Sequence, residues 1–330
     1  MKKKTNELES FSRRKTLKNV FLGAGAIATT SVLGAGNSHA QENNLETTAL
    51  ETTAKEMTGK TALITGGARG IGLAVAVEMA KAGANIVIYD IATEEIPNVG
   101  YKLSTENDLK QAKSTIEALG VKCMAIKGDV RNRKTLESAM AQAVSNFGSL
   151  DIVVPNAGVT QAGAIEEFSE RDIKVVFEIN VEGVIKTTQA AAPIMKKQKS
   201  GRIIYISSGL GRVGNELFPV YTASKWAVIG FAKSAALSYA KDNIMCNVIC
   251  PALVNTQLAN NPYILNKMAP NSPKMETIWD MLKDGNPIPR GFYEPIEIAK
   301  VVMIFAGDAT AQVTGEVFDV SLGVSARNIG

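Results

Sequence analysis

The sequence predicts a single α/β domain built on a doubly wound parallel sheet, and two observations lead to that prediction. After residue 59, short apolar runs alternate with helical patterns along the rest of the chain. Strands that alternate with helices of about 10–15 residues form βαβ units, whose strands are parallel. The same stretch shows no internal repeat and no second region of different composition. Residues 59–330 are therefore expected to fold as one domain.

The predicted strands are short apolar runs, a pattern that fits strands buried within a parallel sheet. In chain order they are TALIT, NIVIYD, KCMAIKGDV, DIVVPNAG, RIIYISS, IMCNVIC and EVFDV. Between them lie segments with a helical pattern, namely GLAVAVEMAKAG and the segments near 105–119, 133–147, 169–198, 221–241 and 295–306. Each helical segment is long enough to connect one parallel strand to the next.

Residues 91–104 and 252–294 do not fit this alternation. Both follow strands, so they are expected at the carboxyl ends of the sheet, where open α/β sheets bind ligands. Long loops at such a place are often lids over a site, and a plain surface insertion is the alternative. The longer segment is interrupted by Pro262, Pro270, Pro273, Pro287 and Pro289.

The longer segment also carries many apolar side chains, enough to enclose a hydrophobic substrate. Packing of the segment onto the domain explains the same side chains equally well. They are Leu253, Leu258, Tyr263, Ile264, Leu265, Met268, Met275, Ile278, Trp279 and Met281.

The net charge of +4 belongs to the first 40 residues. Without them, the chain has 29 basic and 30 acidic side chains, because seven Lys or Arg and two Glu are removed. The remainder has no basic stripe with interleaved aromatic residues, so a nucleic-acid partner is not expected.

Histidine and cysteine are too scarce for several kinds of site. The single histidine, His39, lies in the leader, so a chain cleaved after Ala40 lacks the imidazole of Ser-His-Asp and Cys-His catalysis and of common zinc sites. No metal site is expected. Cys123, Cys246 and Cys250 are too few for a disulfide framework and are expected to be buried thiols.

Residues 1–40 have the three-part order of an export signal. A basic segment precedes the apolar run NVFLGAGAIATTSVLGAG, and SHA places small residues before Gln41, which predicts cleavage after Ala40. The segment SRRKTLK resembles a twin-arginine motif, although Thr16 stands where an aromatic residue is usual. An uncleaved anchor and a basic tail are the alternatives, but a spanning helix needs about 20 strongly apolar residues.

The resemblance to twin-arginine signals implies export of an already folded protein to the periplasm by the twin-arginine machinery. After cleavage, no stable membrane insertion is expected. Residues 41–58, QENNLETTALETTAKEMT, carry no hydrophobic period and predict a flexible linker.

The segment TGGARGIG, residues 65–72, follows a predicted strand and opens a predicted helix. Glycines there let the backbone turn sharply and approach a pyrophosphate, which the positive end of the helix attracts. The glycines are Gly66, Gly70 and Gly72, a spacing that differs from G-x-G-x-x-G. A tight strand-to-helix connection without a ligand is the alternative.

Asp90 ends the second predicted strand, 18 residues after Gly72. A carboxylate at this place can accept both ribose hydroxyls of NAD and repels the 2′-phosphate of NADP. Arg69 favours the opposite choice, because a guanidinium near the adenosine attracts that phosphate. The position of Asp90 makes NAD the favoured cofactor, with NADP less favoured.

An ordered series of motifs resembles the classical short-chain dehydrogenase/reductase family, from residue 59 to about residue 325. The series is TGGARGIG, DV at 129–130, NAG at 156–158, Asn180, Ser208, YTASK at 221–225 and the stretch 251–256. Pro155 and Ala252 depart from the usual pattern. The resemblance implies a Rossmann-like fold with these cofactor-binding residues: Gly66, Arg69, Gly70, Ile71, Gly72, Asp90, Ile91, Asp129, Val130, Asn156, Ala157, Gly158, Tyr221, Lys225, Pro251, Val254 and Thr256.

Several segments are similar to the carveol-dehydrogenase-like, mycofactocin-coupled branch of that family. They include DIVVPNAGV, GDVRN, YKLSTENDL and CPALVNTQLANNP. This resemblance implies an alicyclic or terpenoid alcohol as substrate and tightly held NAD, and a small secondary alcohol or a steroid is also compatible. The family resemblance further implies a dimer or tetramer built through the helices that bear Asn180 and Tyr221.

The predicted chemistry depends on Tyr221 and Lys225, which are four residues apart on one face of a predicted helix. An ammonium beside the phenol is expected to favour the phenolate and make it a usable base. By resemblance, Ser208 positions the substrate oxygen, with Ser207 as the competing residue, and Asn180 holds a water that connects Lys225 to solvent. The predicted reaction is hydride transfer between an alcohol carbon and NAD.

Two other functions are compatible with the fold. One is a nucleotide-binding sensor or scaffold that has lost catalysis, and the intact Ser208, Tyr221 and Lys225 argue against it. The other is an extended-type epimerase, whose glycine spacing and longer substrate domain are absent. An exported NAD enzyme is expected to leave the cytoplasm with its cofactor bound and to recycle it in place.

Overall fold

The computed structural model describes residues 56–327. The predicted signal peptide, 1–40, and most of the predicted linker, 41–58, lie outside the described residues. The end of that linker is part of the folded domain, because Met57 is buried and its N–H donates to the Ala82 carbonyl at 2.8 Å. The domain therefore starts slightly before Gly59.

Seven parallel strands form one sheet. They match the predicted apolar runs, with ends that differ by a few residues. The strands are β1 Thr61–Thr65, β2 Asn85–Asp90, β3 Cys123–Lys127, β4 Ile152–Val154, β5 Gly201–Ile206, β6 Ile244–Pro251 and β7 Val317–Val320.

Helices cross between these strands, and the predicted ones are all found. They are α1 Gly70–Lys81, α2 Glu106–Glu117, α3 Arg133–Phe147, α4 Glu170–Phe177, α5 Gly183–Gln198, α6 Pro219–Tyr239 and α9 Pro295–Ala306. Two further helices, α7 Pro262–Met268 and α8 Met275–Lys283, lie in the segment 252–294, for which the sequence predicted no helix. Pro262 occupies the first turn of α7, where its missing N–H costs nothing, and the Asn261 side chain caps the helix.

The strand order is β3-β2-β1-β4-β5-β6-β7. Chain order reverses between β1 and β4, which pair in parallel through residues 62–64 and 152–154. The domain is thus a doubly wound, Rossmann-like sheet, as predicted. The switch point between β1 and β4 opens a crevice at their carboxyl ends, where such sheets bind ligands.

A hydrophobic core covers each face of the sheet. Alternate residues of one strand serve different cores: in β1, Leu63 belongs to one and Ile64 to the other. All eight residues of β6 are buried, including Cys246 and Cys250, which are free thiols. Burial on both faces explains why the strands are continuous apolar runs in the sequence.

Two searches of the described chain returned nothing. Among residues 56–327, no helix is long and apolar enough to cross a membrane. Within the same range, no group of three or more His, Cys, Asp or Glu side chains is arranged to hold a metal ion.

Candidate active site

The glycine-rich turn between β1 and α1 is fixed by hydrogen bonds to the end of β4. Thr65 Oγ1 accepts from the N–H groups of Asn156 and Ala157 at 3.0 and 3.1 Å. Asn156 Nδ2 donates to the carbonyls of Thr65 and Gly66 at 2.9 and 3.1 Å. Gly66 and Gly70 have φ of +65° and +59°, which favours glycine at both positions.

The turn leaves the start of α1 open to an anion. No side chain caps this helix, and its first turn contains no acidic residue. A methyl group at Gly72 would overlap the Gly66 carbonyl oxygen, so Gly72 lets helix and turn pack closely. The arrangement fits a pyrophosphate, which needs free N–H groups and a backbone that a ligand can approach.

Asp90, at the end of β2, is buried and held by three donors. Its carboxylate accepts from the N–H groups of Ala68 and Ala92 at 3.0 and 3.1 Å, and from the Ser104 hydroxyl. Arg69 is near this carboxylate, but its guanidinium donates to the Lys102 carbonyl at 3.0 Å. Burial lowers the pKa of Arg69, and the nearby Asp90 opposes that change.

Nearly all of the predicted cofactor-binding residues line one cavity of about 460 Å³ at the carboxyl ends of the strands. Gly72 is the exception and supports the turn from behind. Asp129 is paired with Arg131 at 2.6 Å, and the carbonyl of Asp129 accepts from the Tyr89 hydroxyl. The other residues on the cavity wall are Gly66, Arg69, Gly70, Ile71, Asp90, Ile91, Val130, Asn156, Ala157, Gly158, Tyr221, Lys225, Pro251, Val254 and Thr256.

Tyr221 and Lys225 lie on the same face of α6 and face the cavity. Lys225 Nζ is 5.5 Å from the centre of the Tyr221 ring and donates to the Ile206 carbonyl at 3.0 Å. The amine thus connects the catalytic helix to the end of β5.

The pKa values of this pair differ from the sequence prediction. Burial raises the pKa of Tyr221 to about 12, although a hydrogen bond from Ser208 opposes the rise. Burial lowers the pKa of Lys225 to about 8. The prediction that Lys225 lowers the pKa of Tyr221 is wrong for this structure, because loss of water outweighs the influence of an amine beside the ring.

The two serines after β5 have different partners. Ser207 Oγ is buried and donates to the Lys225 carbonyl at 2.9 Å, so it connects α6 to β5. Ser208 Oγ faces Tyr221 and accepts from the Leu210 N–H at 3.1 Å. This geometry favours Ser208 as the residue that contacts a substrate oxygen.

Asn180 lies in a π-helical turn, Glu178–Glu182, between α4 and α5. Its amide is fully buried, accepts from the Val159 N–H at 2.8 Å, and donates to the Val159 carbonyl and to Ser224 Oγ. No direct hydrogen bond to Lys225 is found in the described chain, and Asn180 does not line the cavity. Both side chains approach Gly158, where an added methyl group would lie 3.2 Å from Asn180 Oδ1 and 3.7 Å from Lys225 Nζ.

The insertion 91–104 covers the cavity and provides residues that the sequence did not single out. Tyr101 is buried on the cavity wall, and its hydroxyl accepts from the Thr160 N–H at 3.0 Å. Its ring stacks on Tyr263 of α7 with 6.5 Å between ring centres. The Tyr263 hydroxyl donates to the Ala162 carbonyl at 3.0 Å. The insertion is therefore joined to both the end of β4 and the second long segment.

The segment 252–294 has both of the roles that the sequence left open. Leu253, Leu258, Ile264 and Met268 line the cavity. Leu265, Met275 and Ile278 form a small core that holds α7 and α8 together. Trp279 packs edge-on against Phe292 at 4.8 Å, whereas Met281 is 58% exposed.

The C-terminal stretch and the turn after Ser208 complete the cavity wall. Ser321, Val324 and Ser325 lie on it, together with Arg212 and Asp319. Single residues without a motif gave no signal in the sequence that would assign them to the site.

Comparisons with known proteins agree with this geometry. Residues 60–263 match the family model described as short chain dehydrogenase. The chain is 34% identical over 258 residues to oxidoreductase UcpA of Salmonella typhimurium, covering 78% of this chain and 91% of the relative. It is 29% identical to (-)-trans-carveol dehydrogenase of Rhodococcus erythropolis, covering 82% and 98%. A crystal structure of carveol dehydrogenase from Mycobacterium avium in complex with NAD superimposes with a TM-score of 0.80, 28% identity, and coverage of 83% and 100%.

Proposed function

The chain belongs to the short-chain dehydrogenase family of oxidoreductases, and from that premise we propose that it interconverts a hydrophobic secondary alcohol and its ketone with a nicotinamide cofactor. The observation that carries the proposal is the position of Ser208, Tyr221 and Lys225 on the wall of the cavity that the glycine-rich turn also lines. Positioned hydroxyls and a phosphate-binding turn in one cavity are what hydride transfer to or from an alcohol carbon requires.

The residues divide the work as follows. Ser208 and Tyr221 hold the substrate oxygen between their hydroxyl groups, which fixes the carbon that exchanges hydride. Tyr221 has a pKa of about 12 in the structure, so it is protonated at neutral pH and serves as the proton donor in ketone reduction. In alcohol oxidation it has to release that proton first, which favours high pH. Bound NAD would supply the hydride acceptor and a positive charge beside the phenol.

Lys225 has two duties in this proposal. With a pKa of about 8 it is mostly protonated at neutral pH, so its charge favours the phenolate as Tyr221 loses its proton. The bond to Ile206 keeps it near the nicotinamide ribose. Asn180 is too deeply buried to touch substrate, and we assign it to holding Val159 and α6 in place, with a water between it and Lys225 as the remaining part of the proposal.

NAD is the proposed cofactor, in preference to NADP. The buried Asp90 carboxylate is fixed by three donors and lies where the adenosine ribose is expected. Arg69 is drawn to the Lys102 carbonyl of the insertion, which reduces its availability for a 2′-phosphate. The NAD complex of the carveol dehydrogenase from Mycobacterium avium supports this choice.

The proposed substrate is an alicyclic alcohol of terpenoid or similar size. The cavity wall beyond Tyr221 is mostly apolar and includes Leu210, Leu253, Leu258, Ile264 and Met268. Burial of an aliphatic ring there contributes roughly 25 cal/mol for each Å² of apolar surface removed from water. The likeness to a (-)-trans-carveol dehydrogenase supports the same substrate class.

We also propose that the protein is exported to the periplasm through the twin-arginine route with NAD already bound. The leader sequence supports export, and the insertion supports retention, since Tyr101 and Ser104 connect it to Thr160 and Asp90 over the cavity. Fractionation of the source cells and measurement of nicotinamide in the periplasmic protein test this. Cytoplasmic protein, or periplasmic protein without nicotinamide, would contradict it.

The activity itself is tested with purified protein, NAD and a panel of alicyclic alcohols, by following the absorbance of reduced nicotinamide. We expect turnover of at least one secondary alcohol and of the corresponding ketone in the reverse direction. Binding of NAD without turnover of any panel member would instead favour a nucleotide-binding sensor or scaffold.

A further inference from the structure

One charged pair on the cavity wall has no place in the chemistry described above. The charged residues Arg69, Asp90, Asp129 and Lys225 belong to the cofactor-binding and catalytic regions. Arg212 and Asp319 remain, and both line the same cavity, among apolar neighbours such as Leu210, Val213 and Leu253. A charged pair in an otherwise apolar part of a pocket is costly unless a ligand uses it.

The two residues are placed near the reacting centre by the fold. Arg212 follows the short turn Gly209–Gly211, which begins directly after Ser208. Asp319 pairs in register with Cys250 across β6 and β7. Cys250 is close enough to Tyr221, Lys225, Arg212 and Asp319 to interact electrostatically with each of them. The charged pair therefore lies beside the catalytic wall of the cavity.

The pair is loosely joined and has unused hydrogen-bonding capacity. Arg212 Nε is 3.6 Å from Asp319 Oδ2, and no hydrogen bond from the guanidinium is found within residues 56–327. Asp319 Oδ1 is buried and has no partner in the described chain. The side chains of Arg212 and Asp319 are 31% and 16% exposed, so the guanidinium is the more accessible of the two. A guanidinium offers five N–H donors, and a distant carboxylate neutralises its charge without occupying them.

We propose that Arg212, neutralised by Asp319, binds a second oxygen function on the substrate, so that the physiological alcohol is oxygenated at two positions. This inference rests on the proposed alcohol dehydrogenase function. The second function is an uncharged acceptor such as a hydroxyl or a ketone, because the Asp319 carboxylate repels a substrate carboxylate. An aliphatic ring fills the apolar cavity between the two polar ends.

Cyclohexanols substituted at carbon 4 test the proposal, with arms of one to three carbons that end in methyl, hydroxyl or carboxylate. Turnover with NAD and affinity for the NAD-loaded protein are both measured. For the best arm length, we expect kcat/KM of the hydroxyl compound to exceed that of the methyl compound at least tenfold, since a site built for a polar group rejects the analogue without it. The carboxylate compound should be poorer than the hydroxyl compound.

Two variants separate binding from a structural role. In Arg212→Leu, the preference for hydroxyl over methyl should fall to about one, and Arg212→Lys should retain part of it. In Asp319→Asn, the uncompensated guanidinium should make the carboxylate compound the best substrate, a reversal that a merely structural carboxylate would not produce. Asp308→Asn is the matched control, because it removes the acid of the Arg202–Asp308 surface pair and should leave all preferences unchanged.

The outcomes distinguish this inference from the function on which it rests. Turnover with equal preference for all three arms, and no reversal in Asp319→Asn, would overturn the inference and leave the alcohol dehydrogenase function intact. Preferential binding of the hydroxyl compound without turnover of any alcohol would support the polar anchor and count against the function. Neither binding preference nor turnover would contradict both.

Discussion

Lys225 Nζ lies 5.5 Å from the centre of the Tyr221 ring, one helical turn away, and is bound to the Ile206 carbonyl at 3.0 Å. Burial moves the pKa values of both groups toward their neutral forms, to about 12 for Tyr221 and about 8 for Lys225. The site therefore holds a protonated phenol beside an amine that titrates close to neutral pH. Catalysis in either direction depends on how this pair shares its protons.

Replacing Lys225 with methionine should stabilise the protein at neutral pH while it abolishes turnover. The pKa of Lys225 is about 8 in the folded protein against a model value of 10.5, so below pH 8 folding has to bury an ammonium. The stability penalty is present below pH 8 and disappears as the pH rises to 10.5. We expect the free energy of unfolding to rise by about 1–3 kcal/mol at pH 7 in Lys225→Met, reduced by the unpaired Ile206 carbonyl.

Urea denaturation of wild type and Lys225→Met at pH 7 and pH 9.5 measures this effect. The gain in stability should shrink at the higher pH. Lys233→Met on the same helix is the control, because Lys233 donates to the Gly315 carbonyl at the surface and should show no such dependence. A gain of equal size at both pH values would mean that burial of the ammonium is not its cause.

Asp90 should decide between the two nicotinamide cofactors. In Asp90→Ser, removal of the carboxylate should raise kcat/KM with NADP relative to NAD by about tenfold or more, equal to about 1.4 kcal/mol. Steady-state kinetics with both cofactors measure the ratio. Glu94→Gln removes an exposed carboxylate of the same insertion and should leave the ratio unchanged. If wild type already prefers NADP, the ribose assignment of Asp90 is incorrect.

The insertion 91–104 should slow release of the cofactor, and Tyr101 tests that role. Tyr101→Phe leaves the buried Thr160 N–H without its acceptor, at a cost of about 1–3 kcal/mol, and loosens the closed insertion. We expect NAD to leave the variant at least tenfold faster during gel filtration or dilution. Tyr239→Phe, on the far end of α6, serves as the comparison. Equal release rates in Tyr101→Phe and wild type would show that the insertion does not retain the cofactor.

Helix α6 should form an interface between copies of the chain. Trp226 and Leu237 are 51% and 85% exposed, and eleven residues along a helix return to nearly the same face. Contiguous exposed apolar groups mark interaction surfaces in soluble proteins. Analytical ultracentrifugation should show a dimer or tetramer for wild type and smaller species for the double variant Trp226→Asp, Leu237→Asp. The matched change Ile288→Asp, at a 51% exposed loop position, should not alter the mass.

The strands and their order of use were predictable because their signals are local. Burial on both faces makes β2 and β6 continuous apolar runs, and TGGARGIG marks the first turn by its glycines alone. The two helices after β6 escaped prediction, since five prolines conceal them and the stabilising core around Leu265 and Ile278 forms only after folding. Proline at the first turn of α7 starts the helix.

The site was predictable only where a motif spans a few residues. Tyr221 and Lys225 share a helix face, so their spacing indicated their proximity. Arg212 and Asp319 are 107 residues apart in the sequence and meet only because β6 and β7 pair in one register. The direction of the pKa shift at Tyr221 was missed for a related reason: desolvation depends on everything packed around the ring, whereas spacing shows one neighbour.

The most direct measurement is turnover and NAD affinity of Tyr221→Phe. This change removes one hydroxyl and keeps the ring that packs beside Lys225. We predict that kcat falls at least a thousandfold, because proton exchange with the substrate oxygen is lost, while the Kd for NAD changes less than about threefold. Substantial turnover in this variant would contradict the account, because the hydroxyl of Tyr221 would then not be the group that exchanges the proton.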